Sequence, residues 1–250
     1  MPSALSISDL SLTIGGATIL DGISFEVADK EILGIIGPNG AGKTSFFNLL
    51  SGLRTPTRGS IHMDSVDITH FPAYKRAKAG LARTFQTSSV FVNLSLLENV
   101  RIATQAAAGR SMNVTKDAYS FKEAIDASMN CLEQVGLTSR AHQLAGSLSH
   151  GDKRRLEIAI VLASKSRIVL LDEPMAGMNV ENIPELVEII RSLSRTFGKT
   201  VLIVEHHMDV VLDLADRIAV LNYGELIICD TPEKVIANPT VQSAYLGVAL

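Results

Sequence analysis

The sequence predicts an α/β fold: a mixed sheet with helices, an N-terminal antiparallel β subdomain and an inserted α-helical subdomain. Three observations carry that prediction. Apolar and polar residues alternate from Leu5 to Val27, the period of a half-buried strand. Short apolar runs at Glu31–Ile36, Arg167–Leu171 and Val201–Val204 have strand length and read as strands buried on both faces. Apolar residues then recur at spacings of three and four in the middle of the chain, which is the period of a helix.

Taken in order, Leu5, Ile7, Leu10, Leu12 and Ile14 mark a first strand, and Gly15–Gly16 supply a turn. Ala17–Leu20 resumes the pattern, Asp21–Gly22 reads as a second turn, and Ile23–Val27 alternates cleanly. Glu31–Ile36 leads into a glycine-rich loop and a short helix, Lys43–Ser51. That order places the loop at the carboxyl end of a buried strand, where α/β sheets bind ligands. Ala106–Thr115 is small and polar and reads as a loop. Ala118–Val135 reads as a helix on Ala118, Phe121, Ile125, Met129, Leu132 and Val135, and stops at Gly136. Leu156, Ala159, Ile160 and Ala163 mark another helix, and Leu186, Ile189, Ile190, Leu193 and Phe197 define one over Glu185–Phe197. Ile218–Leu221 and Leu226–Cys229 form a hairpin about Asn222–Glu225, and Pro232–Leu246 reads as a short helix and a turn. The chain is expected to be one domain, residues 1–250, with about 88–165 forming a helical lobe on the core.

Composition excludes several classes. With 250 residues, 46% apolar and 20% charged, the chain is globular and large enough to bury a core. Mean hydropathy is +0.24, yet no apolar run approaches the roughly 18 residues of a membrane span. The grease therefore belongs to buried strands, to a partner face, or to both. A net charge of −3 opposes nucleic-acid binding, which needs a positive field. The one dense basic run, Lys153-Arg154-Arg155, reads as a solvated helix face. Cys131 and Cys229 fit no metal spacing and are expected to be reduced thiols in a cytosolic protein. The N-terminus has neither the basic nor the apolar region of a signal peptide.

Gly37-Pro38-Asn39-Gly40-Ala41-Gly42-Lys43-Thr44 fills G-x-x-x-x-G-K-[ST] at every position. This marks a P-loop NTPase core. Glycines let backbone amides turn inward around a phosphate, and the following helix aims its positive end at the same point. Lys43 is expected to bridge the β- and γ-phosphates of ATP, Thr44 to bind Mg²⁺ and Ser45 to reach the α-phosphate. Arg167–Leu171 ends in Asp172 and Glu173. There Asp172 is expected to hold Mg²⁺ and Glu173 to polarise the attacking water. His206 and His207 follow another strand, and either imidazole could reach a γ-phosphate oxygen.

The remaining motifs resemble those of ATP-binding subunits of ATP-binding-cassette transporters. Leu148-Ser149-His150-Gly151-Asp152 resembles the signature Leu-Ser-Gly-Gly-Gln, and Arg83-Thr84-Phe85-Gln86 resembles the glutamine loop. Ala176-Gly177-Met178-Asn179 sits where the D-loop follows the catalytic glutamate, and Glu205-His206-His207-Met208 resembles the switch-histidine segment. The resemblance selects His206 over His207 and adds Gln86 as a nucleotide and Mg²⁺ contact. It implies that two cassettes pair head-to-tail, each ATP lying between one phosphate loop and the other chain's Ser149, His150, Gly151 and Asp152. Ser149-x-x-Asp152 reads as a capping box that would present Ser149 and the Gly151 amide across that interface.

This sequence departs from the pattern at His150 and Asp152 in the signature and at Asn179, and carries Ile14 where an aromatic residue usually stacks on adenine. Base contact at Ile14 would then be apolar packing. The signature with its Arg-Arg-Leu-Glu-Ile-Ala continuation, Glu-Pro-Met-Ala-Gly-Met-Asn, and the tail around Asn238-Pro239-Thr240 and Ala244-Tyr245-Leu246-Gly247 resemble branched-chain amino-acid importers; urea and short-amide importers are close relatives. The resemblance implies a sister ATPase, two membrane permeases, an extracytoplasmic solute-binding protein, and a peripheral place on the cytoplasmic face of the cell membrane. Val90, Phe91, Val92, Leu94, Leu96 and Leu97 are either lobe core or a permease contact. A non-transport cassette ATPase would carry a coiled-coil insert, tandem cassettes or a basic groove. A regulator without hydrolysis would not need Glu173 and His206.

Overall fold

The computed structural model describes residues 3–84, 90–108 and 118–245, whose strands form two sheets. The first is antiparallel: β1 (Ser3–Ile14) and β2 (Ala17–Ala28) turn at Gly15–Gly16, as expected. β2 does not break at Asp21–Gly22. Leu10 faces Ile23 and Leu12 faces Leu20, so Asp21 and Gly22 together oppose Ser11. This is a β-bulge, held by the Gly22 amide donating to Ser11 Oγ at 2.9 Å. The bulge also aims the Asp21 amide at Gly224 O, 2.9 Å away on a neighbouring hairpin. β4 (Arg58–Met63) and β5 (Val66–Asp67) complete the order β2-β1-β4-β5.

The second sheet contains β3 (Ile32–Ile36), β6 (Leu81–Arg83), β7 (Ile168–Asp172), β8 (Thr200–Val204), β9 (Arg217–Asn222) and β10 (Glu225–Asp230), ordered β10-β9-β3-β8-β7-β6. All pairs are parallel except the β9–β10 hairpin. Every residue of β3, β7 and β8 is buried, which is why those runs are continuously apolar. Parallel register brings the carboxyl ends of β3, β7 and β8 to one edge: Ile35 pairs with Val204, and Val204 with Asp172.

The helices are α1 (Lys43–Leu50), α2 (Ala73–Ala79), α3 (Leu96–Ala107), α4 (Ala118–Gln134), α5 (His150–Ala163), α6 (Ile183–Arg195), α7 (Met208–Leu214), α8 (Pro232–Ile236) and α9 (Pro239–Tyr245). Ala106 and Ala107 extend α3 and do not begin a loop, in keeping with alanine's high helix propensity. The tail is two short helices and not one. Val100, Leu132 and Leu156 of α3–α5 share one apolar cluster with Val169, Leu171, Val201 and Ile203, so these helices are joined to the sheet by continuous packing.

One basic feature corrects the sequence reading and a second adds to it. Arg154 is buried and paired with Glu157 at 2.8 Å, and Arg155 reaches Glu185 of α6. The two arginines of the run are therefore packed and paired, Arg154 within α5 and Arg155 against α6, because their stems are long enough to pack while their heads find carboxylates. Arg76, 1% exposed, gives hydrogen bonds to Leu49 O and Leu50 O at 2.5 and 2.8 Å and so caps the carboxyl end of α1. Thr69 O and Phe71 O take its remaining donors, and burial lowers its pKa to about 10. The apolar stretch after residue 89 is split. Val90, Leu96 and Leu97 are core, whereas Phe91 and Val92 stand 58% and 50% exposed.

Candidate nucleotide site

The phosphate loop is shaped by close backbone approach. A Cβ on Gly37 would collide with Leu221 O of β9, and one on Gly42 would meet Leu20 Cδ2 at 2.5 Å. Gly42 also caps α1 at φ 98°, a left-handed conformation that a larger residue adopts at a cost. It brings no side-chain acceptor, so the first-turn amides of α1 remain available to an anion. Asn39, Gly40 and Thr44 are exposed, Pro38 and Ser45 half-buried, and Ala41 buried. Lys43 is 7% exposed, and its Nζ donates to Gly37 O at 2.6 Å and Pro38 O at 3.0 Å. Burial lowers its pKa, and the nearby Glu173 charge works in the opposite direction.

The end of β7 supplies the carboxylates. Asp172 is 2% exposed. Its Oδ2 accepts from Arg83 Nη2 at 2.7 Å, whereas the buried Oδ1 has no hydrogen-bond partner among the described residues. A buried carboxylate oxygen in that state suits a hard divalent cation. Glu173 follows in a left-handed conformation, φ 47°, fixed by its amide donating to Val204 O at 2.9 Å. Its Oε1 lies 2.8 Å from His206 Nε2. His207 is exposed and lies beside Val180, Pro184 and Asp213 in a groove between α6 and α7. The structure therefore separates the two histidines on geometry: His206 joins the carboxylate cluster and His207 does not.

Sequence reasoning missed three contributors. Glu205, 3% exposed, accepts from the Met175 amide at 2.7 Å and the His206 amide at 3.1 Å. It ties the segment after Glu173 to the one bearing His206, and burial pushes its pKa up. Its sequence signals, a carboxylate closing an apolar strand and a place at the head of the segment bearing His206, gave it no role of its own. Arg83 and Asn48 are the others: Arg83 Nη1 reaches Asn48 Oδ1 on α1 at 2.8 Å and Ser51 Oγ at its C-cap at 2.9 Å.

The signature segment is elsewhere. Ser149 caps α5, its Oγ accepting from the Asp152 amide at 3.2 Å and donating to Asp152 Oδ2 at 2.7 Å, where Arg140 also binds at 2.5 Å. The forward half of the expected capping box is thus present, whereas the Asp152 carboxylate returns to the serine hydroxyl and not to the Ser149 amide. The His150 ring stacks by Gly177, and Gly151 lies near Met178, so 149–151 and 176–179 form one surface. Among the described residues no hydrogen bond or ion pair joins 149–152 to the phosphate loop. Ile14, 40% exposed, shares a shallow groove with Leu53, Arg54 and Thr57. Gln86 lies outside the described residues, and no cluster of His, Cys, Asp and Glu with metal-holding geometry occurs among them.

Residues 20–176 match the family model of the ABC transporter. This chain belongs to the ABC transporter family. It is the ATP-binding, ATP-hydrolysing cassette of that family. The chain is 38% identical over 254 residues to the high-affinity branched-chain amino acid transport ATP-binding protein BraF of Pseudomonas aeruginosa, covering 98% of each. It is 38% identical over 251 residues to LivG, the protein of the same description in Escherichia coli strain K12, again covering 98% of each. Among solved structures, the ADP conformation of MJ1267, an ATP-binding cassette of an ABC transporter, superposes with a TM-score of 0.86 at 26% identity, covering 99% of this chain and 100% of that one. The dimeric structure of the bacterial cassette MJ0796 shares the fold, with a TM-score of 0.77 at 23% identity over 91% of this chain and 98% of that one. No helix among the described residues is long and apolar enough to cross a membrane.

Proposed function

We propose that this cassette binds Mg²⁺-ATP on Gly37–Ser45 and hydrolyses it to drive uptake of branched-chain amino acids through partner permeases. The observation that carries the reading is the convergence on one sheet edge of Lys43, the Asp172 carboxylate with its unshared oxygen, and the Glu173–His206 pair. Lys43 exchanges two carbonyls for β- and γ-phosphate oxygens, which as anions compete better for an ammonium. Asp172, Thr44 and Gln86 are the residues that would hold Mg²⁺, and the ion when bound offsets phosphate charge. Glu173 accepts a proton from the attacking water, and His206 fixes the direction of that carboxylate. Ile14 packs against the base.

Ser149, His150, Gly151 and Asp152 serve the ATP of an opposing cassette. Ser149 can turn its hydroxyl from Asp152 to a phosphate, backed by the amino end of α5. His150 brings an imidazole close to that phosphate where the common pattern has glycine. The opposing cassette is a second ATPase subunit, in a complex with two permeases and an extracytoplasmic solute-binding protein, at the cytoplasmic face of the membrane. Residues of about 88–165 form the signature-bearing lobe, and exposed Phe91 and Val92 meet a permease. The full resemblance to BraF and LivG, both named for branched-chain amino acid transport, supports the cargo. Uptake of labelled leucine, isoleucine, valine and urea by cells carrying the intact complex tests it. ATP-dependent uptake of the three amino acids is expected, and uptake of urea alone would overturn the cargo.

A further inference from the structure

The side chain that organises the metal edge is an arginine with no assigned role. Arg83, at the carboxyl end of β6, is 6% exposed at its side chain and faces an Asp172 side chain that is 3% exposed. Its guanidinium spans two elements. One nitrogen holds Asp172 Oδ2 on β7 at 2.7 Å, and another holds Asn48 Oδ1 on α1 and Ser51 Oγ at its C-cap, at 2.8 and 2.9 Å. Its carbon lies 5.6 Å from the Phe47 ring centroid, which fixes the guanidinium in place. Thr44, Asn48 and Ser51 stand at spacings of four and three and therefore share one stripe of α1. Arg83 thus grips the lower turns of the same stripe whose top turn carries Thr44, while gripping the carboxylate beside it. It fixes which oxygen of Asp172 is engaged and which is left over, and it places a full positive charge against that carboxylate.

We propose that Arg83 is a positioning residue for the metal: it orients Asp172 relative to Thr44 and, by neutralising that carboxylate, keeps free divalent cations off the site until a triphosphate brings one. This rests on Asp172 being a metal ligand, as proposed above. Without nucleotide, a cation approaching Asp172 Oδ1 meets a carboxylate already balanced by a guanidinium. With a triphosphate present, the added negative charge tips the balance and the fixed Oδ1 completes the coordination.

The two halves of the proposal shift metal affinity in opposite directions, which loss of structure alone does not do. Mn²⁺ binding is measured by electron paramagnetic resonance on the purified full chain. It is measured without nucleotide, and with ATP in a Glu173→Gln background. Arg83→Met is expected to tighten nucleotide-free Mn²⁺ binding on the order of tenfold, modest for removal of a unit charge a few ångströms away at an effective dielectric of about 20. The same variant is expected to weaken Mn²⁺ binding in the ATP complex. Arg83→Lys keeps the charge but loses the fork. It is expected to leave nucleotide-free affinity near that of the parent and weaken only the ATP complex, and it carries the test if Arg83→Met does not fold. Nucleotide-free affinity unchanged or reduced in Arg83→Met, or the ATP complex unaffected in Arg83→Lys, overturns the proposal. Adding Asp172→Asn to Arg83→Met should abolish the gain; a gain that persists places the cation elsewhere and also overturns it. Asp172→Asn alone distinguishes the two levels: undiminished Mn²⁺ binding with ATP removes Asp172 as a ligand, and with it the reading beneath this one.

Discussion

The carboxyl edge of the parallel sheet and the surface at 149–151 and 176–179 are both polar, but they satisfy their polar groups differently. At the sheet edge, Lys43, Glu173, Glu205 and Arg83 are held by short bonds among β6, β7, α1 and the segments that follow β3, β7 and β8, and most of these groups are buried. At the second surface, the side chains of Ser149, Asp152 and Arg140 bond to one another among the described residues, and the His150 ring lies open beside Gly177. The first region is a finished cradle that holds its shape within one chain. The second presents a helix end and the exposed Ser149 and His150 to solvent, which is what the opposing cassette proposed above would meet. A similar contrast divides residues 90–97: Val90, Leu96 and Leu97 are sealed in the core, and Phe91 and Val92 face out.

The contrast can be broken most severely at Glu173. If the sheet edge performs the chemistry, Glu173→Gln should lower turnover by about 10²–10⁴ while ATP binding survives. A steady-state assay beside a nucleotide-binding titration checks this, and near-normal turnover would remove Glu173 from its role. Phe91→Ala sharpens the other side. An exposed residue contributes within about 0.5 kcal/mol to folding, so thermal stability and the ATPase of the purified chain should hold. Assembly with permeases should weaken roughly tenfold or more if Phe91 is a central contact. Intact coupling and assembly would return it to an ordinary surface residue.

Glu205→Gln should have the smallest effect on rate and a measurable one on stability. Glutamine keeps one acceptor and turns its carboxamide NH2, a donor, toward the other backbone N–H, at a cost of about 1–3 kcal/mol. The pH dependence gives the sign. Burial raises the folded pKa of Glu205 above the model-compound value of 4.5. The native state therefore binds the proton more tightly than the unfolded chain, and this group's unfavourable contribution fades as pH falls through the raised value. Between there and 4.5 the parent should gain stability from Glu205 on acidification. Glu205→Gln should lack that component, which denaturant melts at several pH values would show.

Much of this site was legible because its chemistry is local in sequence. Gly37–Thr44 is a contiguous loop, and Asp172–Glu173 closes an apolar strand, so spacing alone located both. Arg83 was not legible, since its partners Asn48, Ser51 and Asp172 lie on different elements and meet only through strand order. Asp21–Gly22 misled for a related reason: a glycine at φ 60° serves a bulge as well as a turn, and only the facing strand distinguishes them. Arg154 and Arg155 misled because helical periodicity does not say which charged side chains find carboxylates on their own helix or on a neighbouring one.

ATP affinity of Lys43→Ala, measured by calorimetry on the purified chain, tests the grip on the triphosphate most directly. Losing a buried ammonium that bonds to phosphate oxygens should cost about 3 kcal/mol or more, or roughly a hundredfold in affinity, with turnover lost as well. Affinity within twofold of the parent would contradict the account.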